Sequence, residues 1–242
     1  MSFPSGMGLA WLDRKEKAHG GLKTYREPIR VQVRLNTSLT LEEYVTRKGW
    51  VRARILRCPF HPQGGCGFHK NGYYGRITPV SLKIARMYCP SSQATVGLIP
   101  DFLASRVSGT LQAMEDAVVT YESMGSISLA ADAVRPPGMV DEDEEPITLE
   151  ATARWLRRRV KWITATLITV TGLFPDLFVG VSPTVQSFRG HLGTDSVMME
   201  LRGICSDRLS HLPYPLGFGH RSKSGKSRYI KDQQSMCPDR PP

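Results

Sequence analysis

The sequence lacks the features of a membrane-spanning or exported protein. Its most apolar stretch, residues 162–181, is broken by Pro175 and Asp176, whereas a spanning helix needs about twenty mostly apolar residues without such a break. The opening stretch, MSFPSGMGLAWLDRKEKAHGG, has no apolar signal-peptide core. The five cysteines are an odd number, which does not suit a framework of disulfide pairs. We therefore expect a protein of the reducing cytoplasm without a membrane partner.

Acidic residues are scarce relative to basic ones. The 242-residue chain has 22 Asp and Glu against 32 Lys and Arg, which gives a formal net charge of +10. This excess favours an anionic partner, either nucleic acid or an acidic membrane surface, and charge alone does not distinguish the two. The one dense run of acids, Asp141 to Glu145, is interpreted as a solvated segment. A hydrophobic content of 40% is enough for a core in one large domain or two small ones.

Four potential metal ligands lie in the first half of the chain. A structural zinc ion takes four soft or borderline ligands from short pieces of chain on tight turns, and prolines and glycines supply such turns here. We predict a structural zinc site made of Cys58, His61, Cys66 and Cys89, with His69 as the alternative to His61. The competing interpretation is a glycine-rich hairpin with unmetallated thiols. Four protein ligands leave no open coordination position, so the ion would hold the fold together and not activate water.

Local patterns in the first half predict strands and one short helix. Alternation of apolar and polar residues indicates a strand over 31–35 and a second strand over 51–55 that leads to Cys58. Thr40 followed by Glu43 forms a capping-box pattern, which predicts a short helix ending at Gly49. Between Cys66 and Cys89 we expect a small hairpin that returns to the metal.

Helical periodicity dominates the middle of the chain. Apolar spacing predicts a helix through 111–121, a turn at 124–126 and a short helix over SLAADAV. Thr148 is a predicted N-cap for a longer helix, whose apolar stripe consists of Leu149, Ala153, Leu156, Val160, Ile163 and Leu167. Trp155 and Trp162 lie on another face of that helix and are interpreted as core or interface residues rather than as base-stacking ones.

A basic face on the long helix is the main sign of nucleic-acid binding. Like charges at these spacings destabilise a helix, so an anionic partner is a natural compensation. The alternative is a solvated basic face, or pairing with the acids at 141–145. The predicted DNA-binding residues are Arg154, Arg157, Arg158 and Lys161 on the helix, and Arg52 and Arg54 on the predicted strand.

Together these segments resemble a family of bacterial proteins with a zinc ribbon followed by a helix-turn-helix, similar to the N-terminal DNA-recognition region of insertion-sequence transposases. The resemblance lies in RCPFHPQGGCGF, NGYYGR, IARMYCP, the leucine-proline turn LIPDFLASR, SLAADAV and RWLRRRV, within about residues 50–165. It implies that the ribbon and helices hold DNA, while the catalytic carboxylates of such transposases lie in a separate domain. The chain departs from the family pattern at Ser92 and Gln93, where a second distal metal ligand is usual.

These observations predict an α+β fold: a small β zinc ribbon, then a mainly helical helix-turn-helix region, with flexible termini. The predicted segments are a flexible lead (1–28), a strand, helix and zinc-ribbon-like domain (29–100), a helical domain (101–175) and a poorly ordered basic region (176–242).

The predicted function is a non-catalytic DNA-binding protein of mobile-element type, with double-stranded DNA as partner and an expected association with the nucleoid. Residues 166–242 contain few carboxylates and no strand pattern to bring them together, which argues against a two-metal enzyme. One alternative is a metal-dependent nuclease or transposase remnant that uses His69 and Asn71. The other is an interaction module that binds a transposition protein or a second copy of this chain.

Overall fold

The computed structural model describes residues 29–76, 78–79, 81–135 and 148–218. Within these ranges the chain forms a four-stranded sheet and seven α-helices, a mixed architecture consistent with the predicted α+β class. The predicted flexible lead, the acidic run at 141–145 and the chain beyond 218 lie outside the described residues. The strands are β1 (Ile29–Leu35), β2 (His69–Gly75), β3 (Lys83–Cys89) and β4 (Ala94–Pro100); the helices are α1 (Leu41–Thr46), α2 (Gly49–Arg52), α3 (Leu111–Met124), α4 (Ile127–Val134), α5 (Leu149–Leu173), α6 (Val185–Leu192) and α7 (Val197–Ile204).

The first strand and the start of the first helix confirm the sequence prediction, whereas the predicted helix end at Gly49 is wrong because α1 ends at Thr46 and Gly49 begins α2. In β1, Val31 and Val33 are buried, and the side chains that alternate with them are partly exposed. At the start of α1 the Thr40 hydroxyl accepts the Glu43 N–H at 3.2 Å, and the Glu43 carboxylate accepts the Thr40 N–H at 2.9 Å. This reciprocal pair satisfies two N–H groups that the first turn of a helix leaves without partners.

The prediction of a strand over residues 51–55 is wrong. The chain turns at Lys48, which has a left-handed backbone conformation, and begins the short helix α2 at Gly49. Gly49 packs against the ring of Tyr44 so closely that a Cβ there would lie 2.3 Å from a ring carbon. A side chain at residue 49 would therefore prevent this close approach of α2 to α1. Ala53 and Ile55 are nevertheless buried, whereas Val51 is 54% exposed, so only two of the three apolar positions of the pattern reflect core packing.

The sheet has the order β1-β4-β3-β2. The predicted hairpin is present as antiparallel β2 and β3, and β4 pairs antiparallel with β3 and parallel with β1. Strand β4 was not predicted from the sequence. Six of its seven residues are buried, so it lacks the alternation of a half-exposed strand, and buried strands typically have such continuous apolar sequences.

The predicted helices of the middle region are confirmed as α3, α4 and α5. Thr148 caps α5 by accepting the Ala151 N–H at 3.2 Å. Small residues let the three helices approach closely: the buried cluster between them consists of Ala117, Ala130, Ala131, Ala153 and Leu156. Leu149, the first residue of the predicted apolar stripe, is more than one-third exposed, whereas Ala153, Leu156, Ile163 and Leu167 are buried.

The prediction of a poorly ordered region after residue 175 is wrong for residues 176–218. This segment forms α6, α7 and a 3-10 turn at Ser206–Arg208. Phe188 and Leu201 are fully buried in the same core as Val96 and Leu98 of β4. The core is therefore continuous across the predicted boundaries at 100 and 175. Short amphipathic helices of eight residues carry too few apolar repeats for sequence periodicity to identify them.

Two carboxylates on α3 hold the N-termini of the last two helices. Glu115, which is fully buried, accepts the N–H groups of Val197 and Met198 at 3.1 and 2.9 Å. Glu122 accepts the N–H groups at 185 and 186 at 2.8 and 2.9 Å. Negative charge at a helix N-terminus satisfies free N–H groups and complements the helix dipole. These contacts fix α6 and α7 against α3.

None of the helices within the described ranges combines the length and the apolar character needed to cross a membrane.

We expect Gly217→Ala to destabilise the protein by about 1–3 kcal/mol, the usual cost of overpacking. A Cβ at residue 217 would lie 1.9 Å from the backbone oxygen of Leu212, which cannot move freely. Gly203→Ala in α7 is the matched control, because a Cβ there meets open space and alanine should stabilise the helix by about 0.5–1 kcal/mol. Chemical denaturation measures both. Equal effects of the two substitutions would contradict the packing of residues 209–218.

Candidate metal centre and basic helix

The first two candidate ligands share one tight turn. Cys58 and His61 form an isolated antiparallel bridge, in which the His61 N–H donates to the Cys58 carbonyl at 3.2 Å. The Gly64 N–H then donates to the His61 carbonyl at 2.9 Å. These turns aim the His61 ring back at the Cys58 sulfur, and Sγ and Nδ1 lie 3.7 Å apart.

The other two ligands arrive from a glycine-rich loop and from the end of the sheet. Cys66 lies between Gly65 and Gly67, whose φ angles of 75° and 67° are in the left-handed region that favours glycine. Cys89 is the last residue of β3 and is completely buried. Its sulfur lies 3.3 Å from Nδ1 of His61.

The four ligand atoms form a compact group that fits a metal ion. The sulfurs of Cys58, Cys66 and Cys89 and a ring nitrogen of His61 all lie within 4.8 Å of one another. A tetrahedral ion with metal–sulfur bonds of about 2.3 Å and a metal–nitrogen bond of about 2.0 Å places its ligand atoms roughly 3.5–3.8 Å apart. A small contraction would therefore complete the site. Among the described residues this is the only group of three or more Cys, His, Asp or Glu side chains arranged for a metal.

His69, the alternative ligand, lies outside this group. It is exposed on β2, its Nδ1–H donates to the Gly67 carbonyl at 2.7 Å, and its ring contacts the edge of Tyr88. The structure therefore brings together the four predicted ligands with His61, and not His69, as the nitrogen donor.

Backbone donors around the sulfurs influence which thiol ionises first. Burial raises the pKa of Cys58 to about 12, although the N–H groups of Phe60 and His61 donate to its sulfur. Burial also disfavours ionisation of Cys89, but the backbone N–H and side chain of Ser92, followed by the neighbouring thiols, outweigh it and lower the pKa of Cys89 to about 7. Hydrogen bonds to the charged form stabilise a thiolate, which is the form that binds metal.

Ser92 therefore has a defined part in the centre. It occupies the region where the sequence resemblance led us to expect a second distal ligand, and its polar groups favour the thiolate form of Cys89 by lowering the pKa of that thiol. With three thiolates and one imidazole, the first coordination shell is already complete without it. A closed set of four protein ligands is typical of a structural site and leaves no position for water or substrate.

The predicted basic face of α5 is on the surface. Arg154, Arg157, Arg158 and Lys161 are all exposed. Arg154 lies 3.8 Å from Glu150, a pair so exposed that it contributes about 0.5 kcal/mol or less. The other three cations have no ion pair among the described residues. Arg52, at the end of α2, and Arg54, two residues later, are also exposed, although not on the strand that was predicted to carry them.

One residue in this arginine run has a different environment. Arg159 is only 5% exposed, and its guanidinium carbon lies 4.3 Å from the ring centre of Trp155 and 5.2 Å from that of Trp162. Arg159 is not among the residues predicted from the sequence to bind DNA. Its spacing could have identified it, because it lies three residues after buried Leu156 and four before buried Ile163, on the inward side of the helix.

Comparisons of this chain with protein-family models, with curated proteins and with solved structures each found no match. The function must therefore be inferred from the geometry of its own residues.

Proposed function

We propose that this protein is a non-catalytic DNA-binding protein in which the basic face of α5 contacts the phosphates of double-stranded DNA. The observation that carries the proposal is the row of exposed, largely unpaired cations from Arg154 to Lys161 on one rigid helix. Seven residues of helix span about 10 Å, so these charges can meet several consecutive phosphates of a duplex. The formal net charge of +10 supports an anionic partner.

The helix is well supported for such a role. Its inward side packs on α3 and α4 through the small-residue cluster and on the main core through Ile163 and Leu167. A helix buried along one side has a fixed orientation, so its outward charges keep a constant spacing. We propose that α3, α4 and α5 act as a helix-turn-helix-like unit, with either the phosphate backbone or the major groove against the basic face.

The metal in this proposal is a structural Zn²⁺ held by Cys58, His61, Cys66 and Cys89. Three thiolates and one imidazole are a common structural zinc set. The ion would tie the loop after α2 to the end of β3, and so stabilise the sheet on which the helices pack. A relation to transposase-associated proteins is part of the proposal and rests on the sequence resemblance alone.

Charge reversal on α5 tests the proposal directly. We expect Arg157→Glu with Arg158→Glu to weaken binding of a 20-base-pair duplex at least tenfold, because repulsion replaces attraction at two phosphates. The slope of log affinity against log salt should fall by about 0.9 for each phosphate that the variant no longer neutralises. Fluorescence anisotropy at several salt concentrations gives both quantities.

The matched control reverses two exposed arginines outside α3, α4 and α5, Arg47 and Arg208, and so changes the net charge by the same amount. If both double variants lost affinity equally, the binding would depend on overall charge and not on the face of α5. An unchanged salt slope in the α5 variant would contradict a phosphate contact by these residues.

A further inference from the structure

Most buried charges in the described part of the chain have close polar partners. The Glu115 carboxylate, which already accepts two N–H groups, also forms an ion pair with Nη2 of Arg189 at 2.9 Å. The Asp101 carboxylate forms an ion pair with Nε of Arg34 at 2.6 Å. The fully buried Arg202 donates to four backbone carbonyls at 2.6–3.0 Å. Burying a charge is costly, and such partners are the usual compensation.

Arg159 is the exception. Its Nη1 makes one long hydrogen bond, 3.5 Å to the Trp155 carbonyl, and its buried Nε has no partner. The buried Nε of Arg202 also has no partner within the described ranges, but the other two nitrogens of that guanidinium each donate to two carbonyls. No carboxylate among the described residues pairs with Arg159. Instead Arg158 adds a second positive charge nearby: burial first, and then this neighbour, lower the pKa of Arg159 to about 10. The guanidinium therefore remains charged at neutral pH without an anion.

The two indole rings fix the guanidinium in place. Trp155 and Trp162 are four residues before and three residues after Arg159, so all three side chains lie on one side of α5. Cation–π contacts with both rings compensate part of the cost of burial, but they leave the hydrogen-bonding capacity of Nε and Nη2 unused. The ring of Trp162 packs against the ring of Tyr214 in a T-shaped arrangement, with the ring centres 5.1 Å apart. Both indoles remain partly exposed and flank a residue that is itself only 5% exposed, next in sequence to the exposed Arg158.

We propose that Arg159, held between Trp155 and Trp162, is a binding site for a phosphate group. A phosphate oxygen that accepts a hydrogen bond from Nη2, which unlike Nε is not buried, would supply the missing charge, and Arg158 would add a second attraction. The phosphate can belong to a nucleic-acid backbone or be free in solution. Only the first source rests on the proposed function; the site itself follows from the unpartnered guanidinium.

The test compares the full-length chain with Arg159→Met and Arg159→Lys. Methionine fills similar space without a charge, and replacing a poorly compensated buried charge by an apolar side chain is often neutral or stabilising. We expect Arg159→Met to keep or raise the melting temperature in sodium chloride. Sodium phosphate at matched ionic strength should raise the melting temperature of the wild type and shift its tryptophan emission, and Arg159→Met should show neither response. Arg159→Lys keeps a positive charge but not the planar guanidinium, and should need about tenfold more phosphate to reach the same melting-temperature response.

Equal responses to phosphate in the wild type and in both variants, or no response in any of them, would contradict the proposal that Arg159 binds phosphate. A lower melting temperature of Arg159→Met in chloride, with the phosphate response retained, would assign Arg159 to packing alone and would equally overturn it.

A 20-base-pair duplex then identifies the source of the phosphate. If it is the nucleic-acid backbone, Arg159→Met lowers duplex affinity about tenfold and the salt slope by about 0.9. If duplex affinity is unchanged but the response to inorganic phosphate is lost, the site stands and its ligand is free phosphate. A wild type that binds no duplex but responds to inorganic phosphate would refute the proposed function while supporting the site.

Discussion

A chain with Cys89→Ser is expected to bind no zinc and to unfold at a much lower temperature than the wild type. Cys89 is the completely buried ligand at the end of β3, and its sulfur lies 3.3 Å from His61. Without it, the remaining ligands all come from the loop between α2 and β2, and the ion no longer connects that loop to the sheet. Binding of a structural zinc contributes folding free energy on the order of 10 kcal/mol, so this effect should be among the largest that one substitution has here.

The measurement is elemental analysis of protein purified without added metal, together with thermal unfolding before and after chelation. We expect one zinc per chain in the wild type and none in Cys89→Ser. Cys205→Ser is the matched control, because Cys205 is equally buried but lies outside the ligand group; it should keep its zinc whatever it loses in stability. Zinc retained in Cys89→Ser, or an unchanged melting temperature after complete chelation of the wild type, would contradict a structural metal centre.

Glu115→Ala is expected to destabilise the protein by about 3–5 kcal/mol, the usual cost of breaking a buried ion pair. The substitution removes the acceptor for two N–H groups of α7 and leaves Arg189 without its closest carboxylate. Denaturant unfolding gives the free energy. Glu115→Gln, which keeps an acceptor oxygen but no charge, should fall between alanine and the wild type.

The neighbouring carboxylate provides the control. Asp116 also approaches Arg189, at 3.4 Å, but its side chain is 59% exposed, so Asp116→Ala should cost about 0.5 kcal/mol or less. Similar costs at residues 115 and 116 would show that the buried carboxylate does not fix α7 as the structure indicates.

Features fixed by short-range chemistry could be predicted from the sequence. The Thr40 and Glu43 capping pair, the Thr148 cap and the alternation in β1 depend on residues within a few positions of one another, and all three are confirmed. The ligand group could also be predicted, because cysteines and a histidine at these spacings, on glycine and proline turns, are typical of metal sites in proteins of a reducing compartment.

Features that depend on distant packing could not be predicted. Strand β4 has a nearly continuous apolar sequence because the side chains on both of its faces are buried, and that burial depends on elements distant in sequence. The positions of α6 and α7 depend on hydrogen bonds from their N-termini to carboxylates on α3, which lie more than sixty residues away in sequence. The choice of His61 over His69 was open because both lie close to Cys66 in sequence, and only the turn at 58–61 decides which ring faces the sulfurs.

The parallel pairing of β1 with β4 has a consequence for folding rates. Arg34 and its partner Asp101 are 67 residues apart, so the sheet closes a long loop, and the metal ligands His61 and Cys89, 28 residues apart, lie inside it. A bound ion shortens the effective loop by a little less than half. Each halving of a loop saves only about 0.6 kcal/mol of closure entropy, which corresponds to roughly a threefold change in rate. Loss of the metal should therefore slow folding only slightly, and most of the lost stability should be seen as faster unfolding.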